Sequence, residues 1–128
     1  MTKKSLLALC ALVLLAGCAT NATFTNLTPS QEPRNAQNLY PVEVSMTSQQ
    51  QSLRWDSIRP QIVVGTEYYQ MHSTALMRNR WEGSIPVPPN VNVVHYHYKF
   101  DYLYNAFGSP KPDSATSPEY SLRIVEGQ

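Results

Sequence analysis

Residues 93–104, VVHYHYKFDYLY, alternate apolar and polar side chains with little interruption. Successive side chains on a β-strand point to opposite faces, so strict period-two alternation specifies a strand with one buried and one wet side. The even positions, Val94, Tyr96, Tyr98, Phe100, Tyr102 and Tyr104, form one wall. His95, His97, Lys99 and Asp101 form the other. A strand that long and that apolar on one face needs a second layer to bury it, which directs the whole chain towards an all-β architecture.

The flanking sequence supplies further strands. Tyr40 to Thr47 alternates, with Val42, Val44 and Met46 on one side and Glu43 and Ser45 on the other. Glu119 to Val125 does the same, with Tyr120, Leu122 and Ile124 opposed to Ser121 and Arg123. Pro60 to Thr66 reads as a strand with Ile62 and Val64 inward and a bend at Gly65, and Trp55 before it as a partly buried anchor. Glu67 to Trp81 has no sustained period and suggests two short strands, near Tyr68 to His72 and Ala75 to Trp81. Gly83 and the Pro86 to Asn90 cluster predict a sharp break, and Gly108 to Pro118 reads as a loop. Six or seven short strands with frequent Pro breaks predict an antiparallel β-sandwich.

The N-terminus has a different character. In MTKKSLLALCALVLLAGCAT, Lys3 and Lys4 precede an apolar run from Leu6 to Ala16 that ends in small residues before Cys18. That order is an export signal, and the run is too short for a spanning helix of about 20 residues. Loss of residues 1–17, the signal helix, also removes Cys10, so no thiol is left for a disulfide or a thiolate metal site if Cys18 is modified. The segment 18–39 is polar and reads as a tether. Thr23 to Thr28 can form a first edge strand stopped by Pro29, with the main domain over 40–128.

Charge narrows the function classes. The chain has ten Lys and Arg against nine Asp and Glu. Loss of Lys3 and Lys4 leaves eight against nine and no basic block, so the electrostatic footprint of a nucleic-acid-binding protein is missing.

Leu15-Ala16-Gly17-Cys18 resembles the lipobox of bacterial lipoproteins. The resemblance covers the first 20 residues and implies that Cys18 is acylated and becomes the first residue of the mature chain. Each buried acyl methylene contributes about 0.8 kcal/mol, so several chains hold a domain at a membrane. Ala19 stands where Asp would imply inner-membrane retention, so the resemblance implies an outer-membrane address facing the periplasm. Over residues 40–126, the late tyrosine-bearing strand followed by a final pairing strand resembles an immunoglobulin-like fold. The paired cysteines of antibody domains are missing.

Three classes of function remain open for this exported domain. A binding or structural accessory module would dock to an envelope protein or cell-wall component. A sugar-binding module would use exposed rings, for which Tyr68, Tyr69 and Trp81 are the candidates. A copper or zinc module would use His95 and His97, which project from one strand face, with His72, Met71 or Met77 as a further donor. No catalytic motif occurs and no cofactor is called for.

Overall fold

The structure, a computed structural model, describes residues 22–126. The lipobox and Cys18 lie outside the described residues. Ten strands form: β1 (Ala22–Asn26), β2 (Gln31–Pro33), β3 (Leu39–Ser48), β4 (Arg59–Val64), β5 (Glu67–Gln70), β6 (His72–Ser73), β7 (Arg80–Pro86), β8 (Val93–Ala106), β9 (Ser109–Thr116) and β10 (Tyr120–Val125), with a 3-10 turn at Trp55–Ser57. One sheet has the order β1-β3-β7-β6. The other has the order β2-β10-β8-β4-β5, with β9 also on β8. These are the A-B-E-D and G-F-C-C′ orders of immunoglobulin domains, so the chain is an immunoglobulin-like β-sandwich. All pairings are antiparallel except β2 with β10, which is parallel.

The alternation of β8 builds the core as expected. Tyr96, Tyr98 and Phe100 are fully buried, Val94 and Tyr102 nearly so, and they meet Tyr40, Val42, Val44 and Met46 from β3. Phe100 touches both Phe24 of β1 and Trp81 of β7, with ring centroids at 5.1 and 4.9 Å in edge-to-face contact. Those pairs set the level of the two sheets relative to each other, and edge-to-face rings add about 0.5–1.5 kcal/mol each beyond burial. Two residues earlier on β8, the Tyr98 hydroxyl donates to Asn26 Oδ1 at 2.7 Å and lies 3.3 Å from Thr28 Oγ1. Asn26 Nδ2 donates to the Tyr96 hydroxyl at 2.9 Å. Polar atoms of the buried tyrosines are therefore satisfied by β1 and the residues that follow it.

Several local expectations are corrected. The first edge strand expected at Thr23 to Thr28 forms as β1, which pairs with β3 from Ala22↔Ser48 to Asn26↔Val44 and seats Phe24 on Phe100, so the sandwich extends ahead of residue 40 into the segment read as tether. Residues 75–79 form a turn and not a strand, and β7 starts at Arg80. Gly83 does not break the chain. It lies on the inward face of β7, where an added Cβ would meet Ile62 Cδ1 at 3.0 Å and Met71 Cγ at 3.3 Å, so glycine there permits close approach of the facing layer. Val63 lies on the outer face of β4 yet is 5 % exposed, between Tyr68 of β5 and His97 of β8. The expected loop 108–118 is mostly strand β9, paired with β8 from Lys99↔Thr116 to Ala106↔Ser109.

The Tyr98 phenol is held well above its usual range, first by loss of hydration on burial. A raised folded-state value means that the hydroxyl stays protonated while an unfolded tyrosine ionises above about pH 10. Its contribution is complete below that pH and is lost as pH rises further. Tyr98→Phe should lower stability by about 1–3 kcal/mol at neutral pH through loss of the hydroxyl that donates to Asn26 Oδ1. It should also flatten the loss of stability above about pH 10, as read by urea unfolding across that range.

Candidate functional site

The residues singled out from sequence do not converge. His95 and His97 share the outer face of β8 as expected. His95 Nδ1 lies 2.9 Å from Ser121 Oγ and 3.7 Å from the Glu119 carboxylate, and His97 is half-buried beside Val63. His72 is on β6, in the other sheet, with Nε2 3.1 Å from Glu82 Oε1. Its register partner Glu82 neighbours the inward Trp81, so His72 faces out from the opposite side of the sandwich. Among the described residues no group of three His, Cys, Asp or Glu side chains is placed to hold a metal ion. Met71 is buried in the core, and Met77 lies in the turn after β6.

The three rings are likewise separated by function in the fold. Trp81 is only 5 % exposed and belongs to the core, where it stacks on Trp55 at 6.4 Å with planes 3° apart. It is corrected from ligand candidate to structural residue. Tyr69 packs partly buried against the core. Tyr68 alone of the three is well exposed, at 56 %, on the outer face of β5, with Lys99 Nζ 6.0 Å above its ring.

A different region draws polar and apolar groups together. β8 and β9 continue past the sandwich as a hairpin whose turn is Phe107-Gly108, with φ of +48° and +85°. Two consecutive left-handed residues make a type I′ turn, which matches the twist of the strands. In that register Pro110 and Pro112 occupy positions whose amide would point away from β8, so β9 has a free edge lacking two donors. The other side of the hairpin is closed by the segment before β4. Arg54 N–H donates to Leu103 O, and Asn105 N–H donates to Ser52 O, both at 2.9 Å.

Between that segment and the hairpin lies an open groove of about 790 Å³ edged by Arg54, Asp56, Arg59, Asp101, Asp113 and Ser114. Two guanidinium groups and three carboxylates make it suited to a polar, hydrogen-bonding ligand. Tyr102 lines the groove. Its phenol is raised by burial and then by the nearby Asp113 carboxylate. Ser57 is committed to structure: its hydroxyl donates to Arg54 O at 2.6 Å and accepts from Leu103 N–H at 2.8 Å.

The same end of the sandwich carries the most conspicuous apolar exposure. Phe107 is 107 % exposed at the hairpin tip, and Leu76, at 105 %, is in the turn between β6 and β7 beside the exposed Met77. Leu76 also has a positive φ, +65°. Large side chains are rare in that conformation, which costs roughly 1–2 kcal/mol relative to glycine. Neither residue was singled out from sequence. The available signal was the Phe-Gly pair flanked by residues able to pair, a hairpin cue obscured by the prolines that follow.

No protein-family model and no curated protein matches the sequence. Among solved structures, a DUF4785 family protein from Legionella pneumophila superposes on 81 % of this chain with a TM-score of 0.46 and 9 % identity, and this chain spans 28 % of it. Murine CRIg superposes on 80 % of this chain, covering 98 % of CRIg, with a TM-score of 0.43 and 9 % identity.

Because the turn requires a left-handed residue, Phe107→Asn should stabilise the domain by about 1 kcal/mol. A rise in the urea or thermal midpoint is the expected reading, although the substitution deletes a ring.

Proposed function

We propose that the chain is a cell-envelope lipoprotein, anchored by acylated Cys18, whose immunoglobulin-like domain is a non-enzymatic binding or structural accessory module. The observation that carries this is the lipobox order Leu15-Ala16-Gly17-Cys18 placed three residues ahead of a folded strand. The polar sequence between lipid and sandwich shrinks from the 22 residues of 18–39 to a link of 19–21. An accessory module held that close to its membrane acts on partners at the same surface. The address that fits Ala19 is the outer membrane, facing the periplasm.

The groove beside the hairpin supports a more specific form of this reading, in which the docked partner is a cell-wall component. Its Arg54, Arg59, Asp101 and Asp113 offer donors and acceptors to hydroxyl and amide groups, as a muropeptide carries. The histidines do not support a copper or zinc module, since His72 and the pair His95 and His97 lie on opposite outer faces.

Cys18→Ser should abolish acylation and move the protein from the membrane to the soluble fraction. Persistence of both acylation and membrane fractionation would overturn the lipoprotein reading. Calorimetry of the full mature protein with soluble muropeptides should show binding that falls roughly tenfold in Arg59→Ala and in Asp113→Asn, each having lost one charged hydrogen bond. Equal binding by both variants removes the groove from the site.

A further inference from the structure

The direction of the strands brings the N-terminus and the exposed apolar tips to one end of the sandwich. β1 starts at Ala22 opposite Ser48, the last residue of β3. The turn 74–79 joins β7 at Arg80, opposite Ser45, and Asn79 O accepts from Met46 N–H. In the other sheet, β8 enters at the far end, where the Tyr98 hydroxyl meets Asn26 and Thr28. It passes Phe24 at Phe100 and leaves at the end where β1 begins. Ala22, Leu76, Met77 and Phe107 therefore all belong to the same end, and Leu39, the exposed start of β3, marks the opposite one.

Heights along the strands can be compared through the Phe24 and Phe100 contact. From that level Ala22 is two residues away on β1 and Phe107 is seven away on β8. At about 3.3 Å per residue, with sheets crossing at roughly 30°, the hairpin tip stands about 13–16 Å beyond Ala22. Cys18 is four Cα steps before Ala22, so a fully extended link of 19–21 spans at most about 14 Å. With the strands upright, even a fully extended link only about matches the height of the tip, so the tip stays at or near the plane in which Cys18 is held. If the domain leans, the turn carrying Leu76 and Met77 comes down beside it.

We propose that this end of the domain is a lipid-contacting surface: Phe107, with Leu76 and Met77, enters the headgroup and upper acyl region of the bilayer that holds Cys18. The inference rests on the acylation of Cys18 and adds an orientation to it. The chemistry of the surroundings fits an interface. Tyr104, half-buried four residues below the turn boundary at Gly108, is opposite Lys111, and Arg78 follows Met77. An aromatic tip, an amphipathic ring and long cationic stems that reach phosphates are the residue types favoured at headgroup depth. The acidic Asp113 and Asp56 belong to the groove, farther from the tip. A lipid surface also accounts for large side chains in left-handed turns, since exposure to water gives Phe107 and Leu76 no compensating contact. The groove edged by Arg59 and Asp101 then opens close to the membrane, towards whatever lies along it.

The mature chain has no free thiol once Cys18 is acylated and Cys10 is removed, so a single introduced cysteine can be labelled cleanly. Acylated protein carrying Phe107→Cys, Leu76→Cys or, as the far-end control, Leu39→Cys would be labelled with an environment-sensitive NBD probe. The labelled proteins are then reconstituted into phosphatidylethanolamine–phosphatidylglycerol vesicles. Emission at positions 107 and 76 should rise several-fold and be quenched by brominated acyl chains, while emission at 39 should do neither. Protein that is acylated and vesicle-bound but whose 107 and 76 probes report water, or are shielded without bromolipid quenching as by a protein partner, overturns the proposal and leaves the anchor intact. Protein that carries no acyl group and does not float with vesicles overturns the anchor and the orientation together.

Discussion

The Tyr98 hydroxyl is the point on which the two sheets depend. With no cysteine in the described domain, no disulfide ties the layers, and the joining is done by the aromatic wall of β8 and its polar tips. Ring burial supplies most of the attraction but little of the register, because apolar contact is nondirectional. Direction comes from the hydroxyl, which is fully inside and reaches across to Asn26 Oδ1 and to Thr28, while Thr28 Oγ1 also receives the Glu43 amide at 2.9 Å. A slip of β1 or β3 by one residue would leave these buried groups unpaired, at a cost of about 1–3 kcal/mol for each. The same register fixes where Phe100 meets Phe24, and so how far the free part of β8 extends past the sandwich.

How much of this was legible follows from where each residue's surroundings are encoded. The β8 wall was readable because every second side chain goes to one core, and the same holds for Val42, Val44 and Met46 and for Leu122 and Ile124. β9 was not readable, since Ser109 to Ser114 are exposed on both faces and so carry no hydrophobic alternation at all. What makes them a strand is the length of β8 opposite them, to which they pair from Lys99↔Thr116 to Ala106↔Ser109. Pro110 and Pro112, which look like loop signals, are tolerated because their missing amides face the free edge. Gly83 is illegible for the converse reason: a glycine that ends a strand and one that admits a facing Ile62 look alike in one dimension.

The candidate sites divide in the same way. Parity correctly set His95 and His97 on the wet face of β8, yet parity within one strand cannot say which sheet will hold His72. Trp81 could be taken for an exposed ring because its irregular neighbourhood gave no period. In the fold it stacks on Trp55 and closes one side of Phe100. The groove joins residues from 54–59, 101–103 and 112–114, three segments that only the sandwich brings together.

Stability and exposure are thereby assigned to opposite ends of one strand. The part of β8 around Tyr96 and Tyr98 is dry, hydrogen-bonded and in contact with both sheets, whereas its last turn holds a fully exposed phenylalanine in a conformation better suited to asparagine or glycine. A fully exposed residue in a strained conformation gains nothing from its own chain to offset the strain. Leu76 repeats the pattern in a turn of the other sheet, and both turns share the end at which β1 begins. Two unrelated turns with the same anomaly at the same end are hard to ascribe to packing, since neither side chain packs. Under the proposed anchoring at Cys18, attachment at that end would present both tips to the lipid without any search by diffusion.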